Sequence, residues 1–241
     1  MATPAPFFKT ITKSFRDVPT QPGVDTVQFC DAAEGLVKIF GAFAAAFYRN
    51  PDGSQRLSVI SDLFGNPAFG IVQSDLTGNI AKVRARFASH AVQSATLEDM
   101  VNSEKVEKKK TATEGLMWLL RQVFQFFAVL SCPAANVARN NHRGLKFTAI
   151  GLRRSQQNQS EELSVSFQKA YEGSLRPHHG MMVRPLFALA MKACPYRATF
   201  YPKLGEPEAE VQKELDEWLT GLEKIVAQME KFYKESGHGT I

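Results

Sequence analysis

The chain has 241 residues, 44% of them hydrophobic, which suits one large globular domain or two small ones. Its formal net charge of +5 suits a weak attraction to anionic membranes but falls short of the crowded basic face that nucleic-acid binding needs. Three cysteines without a CxxC pair indicate neither a zinc site nor a disulfide framework, so we expect reduced thiols.

Helical periodicity dominates the chain. Residues 1–24 contain four prolines, and we expect them to form a loosely ordered N-terminal extension. Beyond them, apolar residues recur at helical spacing, and neither strand alternation nor an internal repeat is present, which predicts an all-α fold. Thr96, with Asp99 three residues later, predicts a capped helix start. Helices are predicted over residues 24–48, 57–64, 69–87, 97 onward, 113–130, 161–175, 180–194 and 208–233.

Several functional classes are disfavoured by missing motifs. The sequence has no G-x-S-x-G, zinc-binding or glycine-rich phosphate-binding motif, so we expect no enzyme activity, no cofactor and no metal site. The N-terminus lacks a signal-peptide core, and the longest apolar run, residues 39–48, is too short to span a bilayer. We therefore expect a cytoplasmic protein that touches membranes only from outside.

Three polar residues share one face of the helix predicted over residues 69–87. Asp75, Asn79 and Lys82 are spaced i, i+4 and i+7, so at ~100° per residue their side chains project together. They combine an acceptor, an amide and an ammonium group, which suits recognition of a hydroxyl-rich ligand. Trp118 follows in an apolar helix, and His179 precedes a glycine further on. Taken singly, each also fits an ordinary exposed helix face or a core position.

Taken together and in order, Asp75-x3-Asn79-x2-Lys82, Trp118 and His179-Gly180 resemble the signature of the glycolipid transfer protein family. The similarity is closest to fungal members, which include heterokaryon-incompatibility proteins. It implies an all-α, two-layer sandwich of about eight helices that encloses a hydrophobic lipid pocket.

The same resemblance organises the chain into one domain over residues 25–241. Two segments, at about 41–61 and 136–158, look extra relative to the family pattern. The second is polar and its one apolar patch is short, so we expect an exposed, mobile loop there.

The resemblance also implies roles for the site residues. Asp75 and Asn79 would bind sugar hydroxyls, Lys82 would add donors, and Trp118 would lie against the C–H face of the sugar. The resemblance assigns His179 to the ceramide amide carbonyl and gives Asp75 the amide N–H as well. Relatives that carry phosphorylated sphingolipids replace the Asn with a basic residue and the Trp with Arg, so a neutral sugar is favoured here.

Two further sets of residues are less specific. The first would line the pocket for the lipid chains and consists of Leu186, Phe187 and Ala190. The second would contact the membrane and consists of Met181, Met182 and Tyr196. Animal relatives have a Trp just after the His-Gly pair, whereas a methionine is flexible and apolar but lacks the ring that prefers the headgroup level.

The function predicted from these features is non-enzymatic transport. The protein would extract glycosphingolipids from a membrane and transfer them between bilayers as a monomer, with transient peripheral membrane contact and no nucleic-acid partner. Two alternatives remain open: a sphingolipid sensor or adaptor that binds without net transfer, and a carrier of ceramide-1-phosphate.

Overall fold

The computed structural model describes residues 6–47, 66–121, 144–174 and 194–237, together with residues 176, 180, 181, 184, 185, 188 and 191. Within these residues the regular structure is helical, and the β pairing is confined to one bridge between Asp25 and Thr96. No helix in the same residues combines the length and apolarity needed to cross a membrane. The α-helices are α1 Phe7–Thr10, α2 Thr26–Phe47, α3 Asn66–Ser89, α4 Leu97–Glu104, α5 Thr111–Arg121, α6 Gly144–Gln157, α7 Leu163–Ser174, α8 Arg197–Leu204 and α9 Glu208–Glu235.

The sequence-based helices agree with these bounds wherever the two can be compared. The predicted N-cap at the start of α4 is confirmed: the Asp99 backbone N–H donates to Thr96 Oγ1 at 3.1 Å, and the Thr96 hydroxyl donates to the Asp99 carboxylate at 2.7 Å. The helix predicted over residues 57–64 lies outside the described residues. So do the second half of the helix predicted over 113–130 and much of the one over 180–194.

The helices pack against one another in a ring around one apolar core. Helix α2 packs against α3, α3 against α5, and α5 against α6; α6 packs against α9, and α8 contacts both α9 and α2. The long helix α9 packs against this core through one face, because its apolar residues recur every three to four positions and form one stripe. That stripe is buried along its length at Val211, Leu215, Trp218, Leu222, Ile225 and Met229.

The N-terminal segment differs from the prediction of a loosely ordered extension over residues 1–24. Within its described part, residues 6–24, Phe15 is buried and its ring lies 5.1 Å from that of Trp218, edge to face. Val24 is also buried, and its N–H donates to the Glu98 carboxylate at 2.9 Å. This proline-containing segment packs against the rest of the chain because its few large apolar residues insert into the core.

The prediction of an exposed, mobile loop over residues 136–158 is wrong for residues 144–157, which form α6. Phe147 and Leu152 are buried, and the Phe147 ring lies 5.5 Å from that of Phe167 on α7. Gly151 allows this close packing, because a Cβ there would lie 2.6 Å from the Phe167 ring. Because Gly151 has no side chain, α6 and α7 can approach closely, and the segment is more buried than its hydrophobicity suggests.

Candidate functional site

The candidate site lies where helices α3 and α5 cross. A Cβ built on Gly115 of α5 would lie 3.0 Å from the Lys82 Cβ and 3.2 Å from the Asn79 carbonyl oxygen on α3. Such spacing leaves no comfortable room for a larger side chain, so the glycine sets how closely the two helices approach. Two of the polar residues singled out in the sequence therefore lie at the crossing itself.

Asn79 and Lys82 form a polar pair on α3. The Lys82 ammonium group donates to Asn79 Oδ1 at 2.8 Å, while Asn79 is only 1% exposed and Lys82 is exposed. A buried amide costs free energy unless it is hydrogen-bonded, and this bond fixes the side-chain orientation of Asn79. Asp75 lies on α3 one turn before Asn79, as its spacing predicts, and its side chain lies outside the described part.

Trp118 lies on α5 about one turn after Gly115, so the two residues occupy neighbouring positions on one helical face. The residue is partly buried, whereas its neighbours Leu119 and Leu120 are buried in the core. A partly buried indole keeps some of its surface accessible, which suits stacking on a ligand. The structure thus places Asn79 and Lys82 at the helix crossing and Trp118 about one turn further along α5.

Helix α5 is held at its start by a carboxylate that the sequence analysis did not single out. Glu104, at the end of α4, is 3% exposed and accepts the backbone N–H groups of Ala112 at 3.1 Å and Thr113 at 2.6 Å. The first N–H groups of a helix have no partner within it, and a negative charge there also suits the helix dipole. Glu104 therefore fixes the start of the helix that carries Trp118.

A second interaction holds the connection between α4 and α5 against α3. The Arg86 guanidinium donates to both oxygens of Glu107, at 3.0 and 2.6 Å, and to the Ser103 hydroxyl at 3.2 Å. The hydrogen bonds from Arg86 lower the pKa of the Glu107 carboxyl from its usual value. Because Glu107 stays ionised at neutral pH, its ion pair with Arg86 holds the connection between α4 and α5 against α3.

The remaining predicted residues are distributed differently. Met181 is 84% exposed and Tyr196 is 37% exposed, so both are accessible for contact with a membrane. The remainder of the site and pocket set lies outside the described residues and comprises Met182, His179, Leu186, Phe187 and Ala190.

Arg197, a basic neighbour of Tyr196, points inward rather than toward a membrane surface. Its guanidinium donates to the Ser155 carbonyl at 2.7 Å and lies 4.2 Å from the centre of the Tyr201 ring. Burial raises the pKa of the Tyr201 hydroxyl, which pairs with the Ser155 hydroxyl at 2.8 Å. Arg197 therefore joins α8 to α6 and is not a free cation beside Tyr196.

Comparison with known proteins places these features in a family. The family model described as glycolipid transfer protein matches residues 51–138 and 134–206, which include all five residues of the sequence signature. A glycolipid transfer protein of Aureobasidium melanogenum is 40% identical over 227 residues, covering 94% of this chain and 92% of that protein.

Two solved structures show the same architecture. The fungal glycolipid transfer protein HET-C2 aligns with a TM-score of 0.68 at 35% identity, covering 95% of this chain and 96% of that one. The FAPP2 structure, whose description states that it selects simple glycosphingolipids using this fold, aligns with a TM-score of 0.70 at 25% identity and covers 98% of both chains. The all-α fold thus belongs to a known class of helical lipid-transfer proteins. The chain is a member of the glycolipid transfer protein family.

Proposed function

We propose that this protein is a non-enzymatic carrier that extracts glycosphingolipids from membranes and transfers them between bilayers. The observation that carries the proposal is the Lys82–Asn79 pair where α3 crosses α5, the helix that carries Trp118, in a chain of this family. The relatives named above are described as glycolipid transfer proteins or as selecting glycosphingolipids.

The polar residues at the crossing suit a sugar headgroup. Asn79 offers an amide whose oxygen already accepts from Lys82, and the Lys82 ammonium has further donors for sugar hydroxyls. Asp75, one turn earlier on the same helix, would accept hydroxyl and amide protons, and Trp118 would lie against the apolar face of the ring. His179 would bind the ceramide amide carbonyl, completing the headgroup site.

A neutral sugar fits this site better than a phosphate. A phosphate is bound best by bidentate guanidinium groups, which satisfy several of its oxygens at once. At the crossing the chain instead presents the neutral amide of Asn79, the indole of Trp118 and the ammonium of Lys82, which lacks the forked geometry of a guanidinium. A ceramide-1-phosphate carrier is therefore the weaker alternative.

The lipid chains need an apolar enclosure because each exposed CH₂ costs ~0.8 kcal/mol in water. We assign Leu186, Phe187 and Ala190 to that enclosure. Met181, Met182 and Tyr196 would contact the membrane during loading, and the exposure of Met181 and Tyr196 supports this assignment. The carrier would act as a monomeric, cytoplasmic protein in which residues 25–241 form one domain, together with the packed N-terminal segment.

The test is transfer of fluorescent glucosylceramide between vesicles, with ceramide-1-phosphate as the comparison lipid. We expect the purified protein to move glucosylceramide faster, without ATP or added metal. Faster movement of ceramide-1-phosphate would overturn the headgroup assignment. Tight binding of glucosylceramide without transfer would favour the second candidate, a sensor or adaptor.

A further inference from the structure

One methionine of this protein is almost fully exposed. Met181 is 84% exposed and lies in a turn in which the Arg184 backbone N–H donates to the Gly180 carbonyl at 3.3 Å. A Cβ built on Gly180 would lie within 4 Å of no atom in the described part of the chain. The turn therefore presents the Met181 side chain to solvent, with open space beside the preceding glycine.

The other methionines in the described part of the chain are shielded. Met100 and Met229 are buried, Met191 is 5% exposed, and Met117 is partly buried against the core. A peroxide oxidises a thioether only where it can reach the sulfur, so exposure decides which methionine reacts first. Met181 should therefore react well before these four.

The two described cysteines differ from Met181 in reactivity and in product. Cys30 is buried, and burial raises the pKa of its thiol to about 12, so the reactive thiolate is scarce at neutral pH. Cys194 is half-buried. A simple thiol reverses a sulfenic acid or a disulfide, whereas methionine sulfoxide needs a reductase enzyme. Oxidation of Met181 can thus be told apart from oxidation of a cysteine.

Oxidation changes the character of the Met181 side chain. The thioether sulfur attacks one oxygen of a hydroperoxide, an S–O bond forms, the O–O bond breaks, and the remaining oxygen leaves as water or an alcohol. Two electrons pass from the sulfur to the peroxide. The thioether is flexible and apolar, whereas the sulfoxide is polar and accepts hydrogen bonds. A polar group that loses its water without a new partner costs free energy, so the sulfoxide suits an apolar environment poorly.

We propose that Met181 is a site of reversible oxidation by hydroperoxides, and that its sulfoxide weakens the contact of the carrier with membranes. The inference rests on the proposed function, which places Met181 at the membrane during loading, and it extends that function to regulation. A methionine sulfoxide reductase restores the thioether with two electrons from a dithiol, which becomes a disulfide, and the sulfoxide oxygen leaves as water.

The test treats the purified protein with increasing concentrations of hydrogen peroxide. Peptide mass spectrometry gives the order in which the methionines are oxidised. Co-sedimentation with vesicles of phosphatidylcholine and glucosylceramide measures membrane binding, and a separate assay measures glucosylceramide transfer. Met181→Leu removes the sulfur and keeps an apolar side chain, and Met182→Leu is the matched control because it makes the same change at the next residue. Each variant is compared with its own untreated sample.

We expect Met181 to be oxidised first, and vesicle binding and transfer by wild type to fall about tenfold, equivalent to ~1.4 kcal/mol. A methionine sulfoxide reductase with dithiothreitol should restore both, and dithiothreitol alone should not. Met181→Leu should keep most of its own untreated activity after the same treatment, whereas Met182→Leu should lose activity as wild type does. Circular dichroism checks that the oxidised samples stay folded.

The negative results are distinguishable. Earlier oxidation of another methionine, or protection by Met182→Leu in place of Met181→Leu, would overturn the site. Complete oxidation of Met181 with unchanged binding and transfer would overturn its effect on the membrane contact and leave the carrier function standing. Untreated wild type that binds vesicles but moves no glucosylceramide would overturn the carrier function, while vesicle binding would still decide the effect of oxidation.

Discussion

Two polar clusters on helix faces of this protein differ in whether their side chains are hydrogen-bonded within the fold or remain accessible to a ligand. Around Arg153 on α6, the guanidinium donates to Glu223 at 3.0 and 2.9 Å, to Thr220 at 2.9 Å, and to Asp216. Hydrogen bonds with Glu223 raise the pKa of Arg153, although burial opposes them. All of these partners belong to α9, so the cluster joins two helices of the same chain.

The cluster at the α3–α5 crossing is organised differently. Lys82 and Asn79 share one bond at 2.8 Å, Lys82 is exposed, and the partly buried Trp118 lies on the neighbouring helix α5. Groups satisfied within the fold contribute stability, whereas groups that keep exposed donors beside an aromatic face are suited to a ligand. The difference predicts that changes at the crossing reduce transfer and changes around Arg153 reduce stability.

The largest effect on transfer is expected from Asp75→Val. Loss of a carboxylate that binds the headgroup should cost ~1–3 kcal/mol, which corresponds to roughly 5- to 140-fold slower glucosylceramide transfer. The matched control is Asp216→Val, the same change at the cluster around Arg153, which should leave transfer within about twofold. Near-normal transfer by Asp75→Val would remove Asp75 from the site.

A smaller loss of transfer is expected from Trp118→Ala. Removing the ring that faces the sugar should slow glucosylceramide transfer about tenfold, equivalent to ~1.4 kcal/mol. Trp118→Phe keeps an aromatic face and should recover much of the rate. Equal rates for the Ala and Phe variants would contradict a contribution from the aromatic face of Trp118.

Glu104→Ala tests whether Glu104 stabilises the start of α5, the helix that carries Trp118. It leaves the N–H groups of Ala112 and Thr113 buried without their acceptor, so the free energy of unfolding should fall by about 1–3 kcal/mol. Glu104→Gln retains one acceptor oxygen and should lose less. Denaturant unfolding measures both, and identical stability of the two variants would contradict the capping role.

Arg153→Ala should lower stability by about 1–2 kcal/mol without slowing transfer per folded molecule. The side chain is 17% exposed, so its ion pairs are less screened than surface pairs, and their loss leaves Glu223 without its partner. Arg153→Lys keeps the charge but loses the forked geometry, and it should fall between wild type and Ala. A transfer defect as large as that of Trp118→Ala would erase the distinction between the two clusters.

The smallest effect is a pH dependence from Glu161. Hydrogen bonds from Lys169 and Arg154 lower the pKa of its carboxyl from the usual 4.5 in the folded protein. A folded-state pKa below the unfolded one contributes stability above about pH 4.5, and this contribution is lost as pH falls through the folded value. Glu161→Gln should therefore be less stable than wild type at pH 7 and equal to it at the lowest pH. A difference that grows as the pH falls would contradict this assignment.

The sequence predicted those parts of the fold that depend on local patterns. The stripe on α9 and the N-cap at Thr96 follow from residues three or four positions apart, and both are present. At the candidate site, the spacing of Asn79 and Lys82 predicted a shared face, and their hydrogen bond confirms it.

What the sequence missed depends on contacts between distant residues. The sequence predicts a loop where α6 forms, because the buried face of α6 includes Gly151 and Ser155, which hydrophobic periodicity does not score. Nothing local to Arg153 predicts its role, because its carboxylate partners lie more than 60 positions away. The capping role of Glu104 is not predictable for a similar reason, because a glutamate beside a lysine-rich run gives no local sign that it will cap the next helix.

The most direct test is a crystal structure of the protein with bound glucosylceramide. The account predicts that the glucose ring lies against Trp118, with its hydroxyls hydrogen-bonded to Asn79 and Lys82, while the Arg153 cluster keeps the partners it has without lipid. A glucose ring bound away from the α3–α5 crossing, with Asn79 and Trp118 making no contact to it, would contradict the central claim.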